Sequence, residues 1–269
     1  MGRISAVVSD VDGTLMTHGK EVTARTREAV AKLRAKGILF TAISGRPPRG
    51  MRMLVDPLDI THPIAGFNGG QFTMPDLTSI EDHLLAPEVA RRAYDMLVGK
   101  GVSIWVFNGP DWLIRDPNGP HVEHERRTVD YDPIVVKDFD KAFAAAHKIV
   151  GISEDHDDLA RLETGMQTAL GDTASATRSQ QYYLDVTNPQ ANKGAALHTF
   201  ARLLGVPLQE IAVIGDGNND VLMFREAGFS IAMGNASDEV KKQAQVSTTS
   251  NDEDGFAAAM EKYVLGDRP

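Results

Sequence analysis

The chain has 269 residues, with 28 Lys plus Arg against 37 Asp plus Glu and 42% hydrophobic residues. That composition supports a real core and excludes a disordered or fibrous chain, and the net charge of −9 argues against nucleic acid or an anionic membrane surface as a partner. Cysteine is absent, which removes disulfides, thiolate metal sites and a cysteine nucleophile.

Ile4–Ser9 is a short apolar run rich in β-branched residues, and it predicts a buried strand that ends at a carboxylate. Such an opening turns acidic too soon for a signal peptide, Ala6 breaks the myristoylation pattern, and no run reaches the roughly 18 apolar residues of a membrane span. A cytoplasmic protein without membrane partners is expected. Next comes Asp10-Val11-Asp12-Gly13-Thr14-Leu15. Carboxylates at i and i+2 project alike if the chain stays extended, and Gly13 then lets the chain turn away. A convergent pair can bind a hard cation and divide two tasks: one carboxylate attacks phosphorus and the other protonates the leaving oxygen. The alternative is a strand-end turn with two solvated aspartates.

Thr23 is placed to cap a helix in which Val22, Ala29, Val30 and Leu33 share a face, with Gly37 past its end. Ile38–Ile43 predicts a second strand running into Ser44-Gly45-Arg46, where a hydroxyl and a backbone N–H suit phosphate oxygens; a plain turn is the competing reading. Pro63–Phe67 predicts a third strand before the turn Asn68-Gly69-Gly70.

The middle of the chain, 83–187, changes character. Helix-like stretches (Pro87–Lys100, Asp157–Leu170) mix with short strand-like ones (Val102–Phe107, Trp112–Arg115, Lys148–Ile152, Tyr182–Val186), and both tryptophans fall here. His121 and His124 lack a third ligand at metal spacing and read as a solvated segment. The acidic run Glu154–Asp158 reads as a helix start, and Arg91-Arg92 and Arg126-Arg127 as surface pairs.

Lys193 opens a helix that Gly205 stops. A cation is disfavoured at a helix N-terminus, so a lysine there suggests a task, such as neutralising a phosphoryl group in transfer. Ile211–Ile214 predicts a strand ending in Gly215-Asp216-Gly217-Asn218-Asn219-Asp220, an all-oxygen donor set that favours Mg²⁺ over zinc; a glycine turn with Asx capping is the alternative. A helix from about 220 to 227 and a strand at Ser230–Ala232 follow. Alternation of this kind predicts an α/β fold with a doubly wound parallel sheet, and sites in such sheets lie at the carboxyl ends of the strands. The polar clusters at 10–14, 44–46 and 215–220 all follow strands. The expected division is a discontinuous core, 1–82 and 188–269, with 83–187 inserted.

Taken together and in order, these motifs resemble the haloacid dehalogenase-like hydrolase superfamily, specifically its Cof-type members of subfamily IIB. The likeness runs over nearly the whole chain, and also takes in Phe67-Asn68-Gly69-Gly70, Leu184-Asp185-Val186-Thr187, the stretch 227–236 and Ser250–Gly255. It implies a Rossmann-like core carrying an α+β cap over 83–187. By position it implies Asp10 as the nucleophile and a metal ligand, Asp12 as the general acid/base with its carbonyl on the metal, and Asp216 as the metal-binding acid. Val11, Ser44, Gly45, Arg46, Lys193 and Asn219 fall at phosphate-binding positions, with Thr14 and Asp220 in support.

The function this implies is a Mg²⁺-dependent phosphatase of small phosphorylated metabolites, sugar phosphates foremost, working through an aspartyl-phosphate as a monomer or weak homodimer. The alternatives are a phosphotransferase or phosphomutase on the same scaffold and, against the presence of Asp10, Asp12, Lys193 and Asp216, a catalytically silent binding module. Attack of a carboxylate on a phosphate dianion is opposed by repulsion that Mg²⁺ and Lys193 would relieve. A neighbouring carboxylate raises the pKa of Asp12, while cations lower it; sequence leaves the winner open. Discrimination between substrates falls to the insert. There Trp105–Arg115 either offers a sugar a flat apolar face or fills the insert's own core.

Overall fold

A computed structural model describes residues 2–266. Short β-branched runs make the strands, and all five residues of β1 (Ala6–Asp10) are buried, as expected for a strand covered on both faces. Thr23 caps the helix Ala24–Ala35 by accepting from the Thr26 N–H, and Ala29, Val30 and Leu33 are buried along its inner face. β2 (Leu39–Ile43), β3 (Ile64–Gly66), β4 (Gln71–Thr73) and β5 (Ser79–Asp82) follow. A second set comprises β6 (Ser103–Asn108), β7 (Asp111–Ile114), β8 (Ile134–Val135), β9 (Lys148–Ile152), β10 (Ser175–Gln180) and β11 (Tyr183–Thr187). The helix Lys193–Leu204, capped by the Asn192 side chain and closed by left-handed Gly205, returns the chain to β12 (Ile211–Gly215), β13 (Phe229–Ala232) and β14 (Val246–Ser247).

The strands form two sheets. Eight run in the order β14-β13-β12-β1-β2-β3-β4-β5, and six in the order β10-β11-β9-β6-β7-β8. From β14 to β3 the larger sheet is parallel, which matches the expected winding; β4 and β5 add an antiparallel edge. Two apolar clusters cover its faces. One joins Leu33, Phe40, Met51 and Met260, and the other joins Phe72, Leu197, Phe200 and Met223, with Phe72 and Phe200 edge to face at 5.2 Å. Truncating one such buried side chain to alanine costs about 2–5 kcal/mol.

The smaller sheet buries one face, including Val106, Ile149 and Leu184, against the helices Pro87–Leu97 and His156–Leu170. Its other face carries Trp105, Phe107, Trp112 and Tyr183 toward the helix Val122–Val129 and toward Phe67 of the larger unit. Asp155 caps the helix His156–Leu170, accepting from the Asp158 N–H at 2.9 Å, so the acidic run does start a helix. Both tryptophans are buried, Trp105 at 2% exposure and Trp112 at 0%, and Ile114, opposite Trp105, is buried too. Of the two readings of Trp105–Arg115, the aromatic pair therefore fills the insert's core and offers a ligand no open face. His121 stacks on Tyr182 at 3.9 Å between ring centroids and pairs with Glu154, with no metal cluster there among the described residues.

Candidate active site

β1 lies between β12 and β2, so the carboxyl ends of three adjacent parallel strands open on one spot. Asp10 ends β1, Ser44 follows β2 and Asp216 follows β12. Lys193, the first residue of its helix, reaches under them. Its Nζ donates to Asp10 Oδ1 and to Asp220 Oδ1, each at 2.5 Å, and its side chain is fully buried. Two carboxylates hold the ammonium against the unfavourable helix dipole and against desolvation. Burial alone would lower the lysine's pKa, but Asp10 and Asp220 raise it, so it stays charged.

Carboxylate oxygens of Asp10, Asp216 and Asp220 lie within 4.8 Å of one another. Asp220 spends both of its oxygens, taking Lys193 on one and the backbone N–H groups of Asp216 (3.0 Å) and Gly217 (2.8 Å) on the other. The donors left for a cation are on Asp10 and Asp216. Burial, followed by the charges of Asp220 and Asp216 and opposed by Lys193, pushes the Asp10 carboxyl up to about 8. Burial and the charge of Asp220 likewise push Asp216 up to about 6. Three acids sharing one lysine constitute an anionic cluster that a hard cation would neutralise, and an all-oxygen donor set suits Mg²⁺. Gly13 makes room for the Asp216 carboxylate: its φ is +76°, and a Cβ there would stand 2.2 Å from Asp216 Oδ2. Asn235 Nδ2 then bridges the Gly13 carbonyl (2.9 Å) and Asp216 Oδ2 (3.1 Å).

The Val11 carbonyl accepts the N–H groups of Thr14, Leu15 and Met16, which turns the chain after Asp10. Within that turn Thr14 is buried, with an unpartnered Oγ1. Ser44 Oγ accepts from the Arg46 N–H at 3.1 Å, and its carbonyl from the Asn68 N–H at 2.7 Å. The Asn68 amide lies beside Gly45, where a Cβ would meet it at an ordinary 3.5 Å, and Asn68 Oδ1 accepts from Asn219 Nδ2 at 3.1 Å.

Asp12 stands apart from the cluster. Arg46 grips its carboxylate with a two-pronged fork, Nε to Oδ2 at 2.7 Å and Nη2 to Oδ1 at 2.6 Å, and Lys20 Nζ adds a third contact at 2.6 Å. Nη1 of the same guanidinium donates to the carbonyls of Gly50 and of Thr128 on the insert. Burial works to raise the Asp12 pKa, but the Arg46 fork and Lys20 outweigh it and hold the carboxyl at about 2. The question left open by the sequence is thus decided by cations. Arg46 departs from the expected phosphate contact, because its donors are directed to Asp12 and to two backbone carbonyls.

The sequence reading assigned no role to Asn68, Asn235 or Lys20. Asn68 carried a signal, since it opens the Asn-Gly-Gly turn and adopts a left-handed φ of 57°. Asn235 lies in the stretch 227–236 that carries the family likeness, whereas Lys20 carried no signal.

The model of the haloacid dehalogenase-like hydrolase family matches residues 7–260. A 5-amino-6-(5-phospho-D-ribitylamino)uracil phosphatase of Bacillus subtilis is 28% identical over 290 residues, covering 98% of this chain and 99% of its own. An HMP-PP phosphatase of an Enterobacter species is 30% identical over 238 residues, 88% of this chain and 85% of its own. Among solved structures, a haloacid dehalogenase-like hydrolase from Bacteroides thetaiotaomicron superposes with a TM-score of 0.89 at 29% identity, covering 97% of this chain and 99% of that one.

Proposed function

The chain belongs to the haloacid dehalogenase-like hydrolase family as a phosphoric monoester hydrolase, and from that premise we propose a Mg²⁺-dependent phosphatase of small phosphorylated metabolites, sugar phosphates among them. The observation that carries the reading is the buried Lys193 between Asp10 and Asp220, with Asp216 beside them at the converging strand ends.

In this reading Asp10 Oδ attacks phosphorus and the bond to the leaving oxygen breaks, giving an aspartyl-phosphate and an alcohol. Lys193 neutralises charge on the transferring group and orients Asp10. Ser44, the Gly45 backbone and Asn219 hold phosphate oxygens, Val11 lies beside them, and Asn68 keeps Asn219 in place. Asp12 gives its proton to the leaving oxygen and later takes one from the water that attacks the aspartyl-phosphate. To do so it has to part from Arg46, whose grip keeps it ionised. Asp10, the Asp12 carbonyl and Asp216 would hold Mg²⁺, which supplies charge neutralisation for the phosphoryl oxygens. Asp220 and Thr14 support this set. Residues 83–187 act as a cap that excludes water and meets the leaving group.

Single turnover in ¹⁸O water tests the outcome, because hydrolysis labels the released phosphate and transfer to an acceptor alcohol does not. Asp10→Asn is expected to lower kcat by at least about a thousandfold with the thermal melt preserved. A variant that keeps a tenth of wild-type activity refutes Asp10 as the nucleophile.

A further inference from the structure

The turn that presents Asn68 holds two consecutive side chains in the left-handed region, Phe67 at φ 52° and Asn68 at φ 57°. Asparagine tolerates that conformation. A bulky aromatic residue rarely adopts it, and keeps it only where the surroundings over-determine it. The backbone here is wedged. A Cβ on Gly66 would stand 2.3 Å from Pro48 Cδ, and one on Gly69 would stand 2.5 Å from Ala196 Cβ. The Phe67 N–H donates to the Arg46 carbonyl at 2.8 Å, and the Asn68 N–H to the Ser44 carbonyl at 2.7 Å.

The Phe67 ring itself leaves the larger sheet. It is 1% exposed, and among the described residues it alone brings a side chain from outside 83–187 into the aromatic cluster of the smaller sheet. Its centroid lies 5.8 Å from that of Phe107, and it stacks on His147 at 5.3 Å with the planes 24° apart. His147 is fixed in turn from both sheets. Gly109, in the turn between β6 and β7, donates its N–H to Nδ1 at 2.9 Å, which assigns the proton of the neutral imidazole to Nε2. That nitrogen meets Asp82 Oδ1, at the end of β5, at 2.9 Å. Gln71 Nε2 and Ser79 Oγ hold the same carboxylate at 2.9 and 2.8 Å. His147 is 3% exposed and takes no part in the chemistry above.

We propose that Phe67 is a positioning residue for the phosphate site. Its ring, gripped between Phe107 and His147, holds the left-handed turn that sets Asn68 against Asn219, so the seat of the smaller sheet on the larger one sets the geometry of a phosphate-binding amide. The inference rests on the reading of Asn219 as a phosphate contact. Asn68 Oδ1 takes one hydrogen of Asn219 Nδ2 at 3.1 Å and leaves the second for a phosphate oxygen. A turn that relaxes toward ordinary backbone angles carries Oδ1 away and lets the Asn219 amide rotate, and small misplacements of this kind are costly in a preorganised site.

The test is a double-mutant cycle on two residues that touch no reacting group. Phe67→Leu keeps an apolar side chain without the ring, and His147→Asn keeps an acceptor for Gly109 without the stack. The Mg²⁺-loaded protein is titrated calorimetrically with inorganic phosphate. Affinity is expected to fall at least about fivefold in Phe67→Leu and at least about threefold in His147→Asn. The double variant should stay within about 1.5-fold of Phe67→Leu, because His147 acts through a ring already removed. The side-chain amide resonances of Asn219 in ¹⁵N-labelled protein, assigned with Asn219→Ala, should move in both single variants, with a thermal melt to confirm each fold. Should Phe67→Leu fail to fold, His147→Asn carries both readouts alone. Unchanged phosphate affinity together with unmoved Asn219 resonances overturns the coupling, and so do losses that multiply in the double variant. Resonances that move while phosphate affinity holds within about twofold would leave the coupling standing and refute Asn219 as a phosphate contact instead.

Discussion

Replacing Arg46 with alanine separates two roles for this residue. The change deletes a bidentate, charge-assisted pair to Asp12 and a donor to the Thr128 carbonyl, from a guanidinium whose side chain is only 4% exposed. Hydrogen bonds to charged groups contribute about 1.5–3 kcal/mol each. Asp12 is 35% exposed, so water repays part of the loss, and a net cost of about 2–4 kcal/mol follows. For a chain of this size that lowers the melting temperature by about 5–15 °C. If Arg46 positions Asp12, its loss falls on proton donation, which is worth about 10²–10⁴-fold in rate. Turnover of an alkyl phosphate should then drop by about tenfold or more, because misplacement outweighs the easier protonation of Asp12. Hydrolysis of p-nitrophenyl phosphate, whose leaving group needs no proton, should stay within about threefold by the same argument. Inhibition by inorganic phosphate should hardly change. Arg46→Lys keeps the charge without the fork, so it should recover part of the stability and little of the leaving-group effect. The assay is kcat and KM for both esters plus the phosphate Ki, with a melt on each variant. A phosphate Ki raised tenfold, together with equal losses on both esters, would refute the positioning argument and return Arg46 to the phosphate.

Other expectations follow from the same cluster. The folded-state pKa values of Asp10 and Asp216 lie above 3.8, at about 8 and about 6, so the metal-free fold binds the extra protons and loses stability as pH rises from about 4 through 8. Mg²⁺ displaces those protons, and its gain in melting temperature should be larger at pH 8 than at pH 5.5; equal gains would contradict it. Lys193→Met leaves Asp10 and Asp220 facing each other without their shared cation, costing about 3–5 kcal/mol in the metal-free protein, read by denaturant titration; a cost below about 1 kcal/mol would show that the pair contributes little. Gly13→Ala forces a Cβ into Asp216 at a left-handed φ, so calorimetric Mg²⁺ affinity should fall at least about tenfold, and unchanged affinity would remove Asp216 from the metal site.

Much of the core was legible because its signals are local. Asn192 and Gly205 bracket Lys193–Leu204, and the predicted helix bounds agree with the observed ones. Buried β-branched runs likewise announce β1, β2 and β12, and polar clusters after them sit where parallel sheets gather ligands. The edge strands β4 and β5 went unread, since three- and four-residue strands offer too short a pattern to distinguish from turns. The helix Val122–Val129 starts at a left-handed His121 with no side-chain cap, so no start signal marks it.

The sequence by itself determined which residue types could do chemistry and in what order along the chain: the paired aspartates, the helix-leading lysine, and the acid and amides after β12. Only the tertiary structure decided their partners. Arg46 meets Asp12 across 34 positions and Thr128 across 82, and Lys193 meets Asp10 across 183. The ionisation of each acid then depends on how many cations share its pocket and how little water reaches it, and neither quantity is encoded in neighbouring residues. Packing made that choice when β12, β1 and β2 were laid side by side, crowding three carboxylates around one lysine and leaving Asp12 in the grip of Arg46.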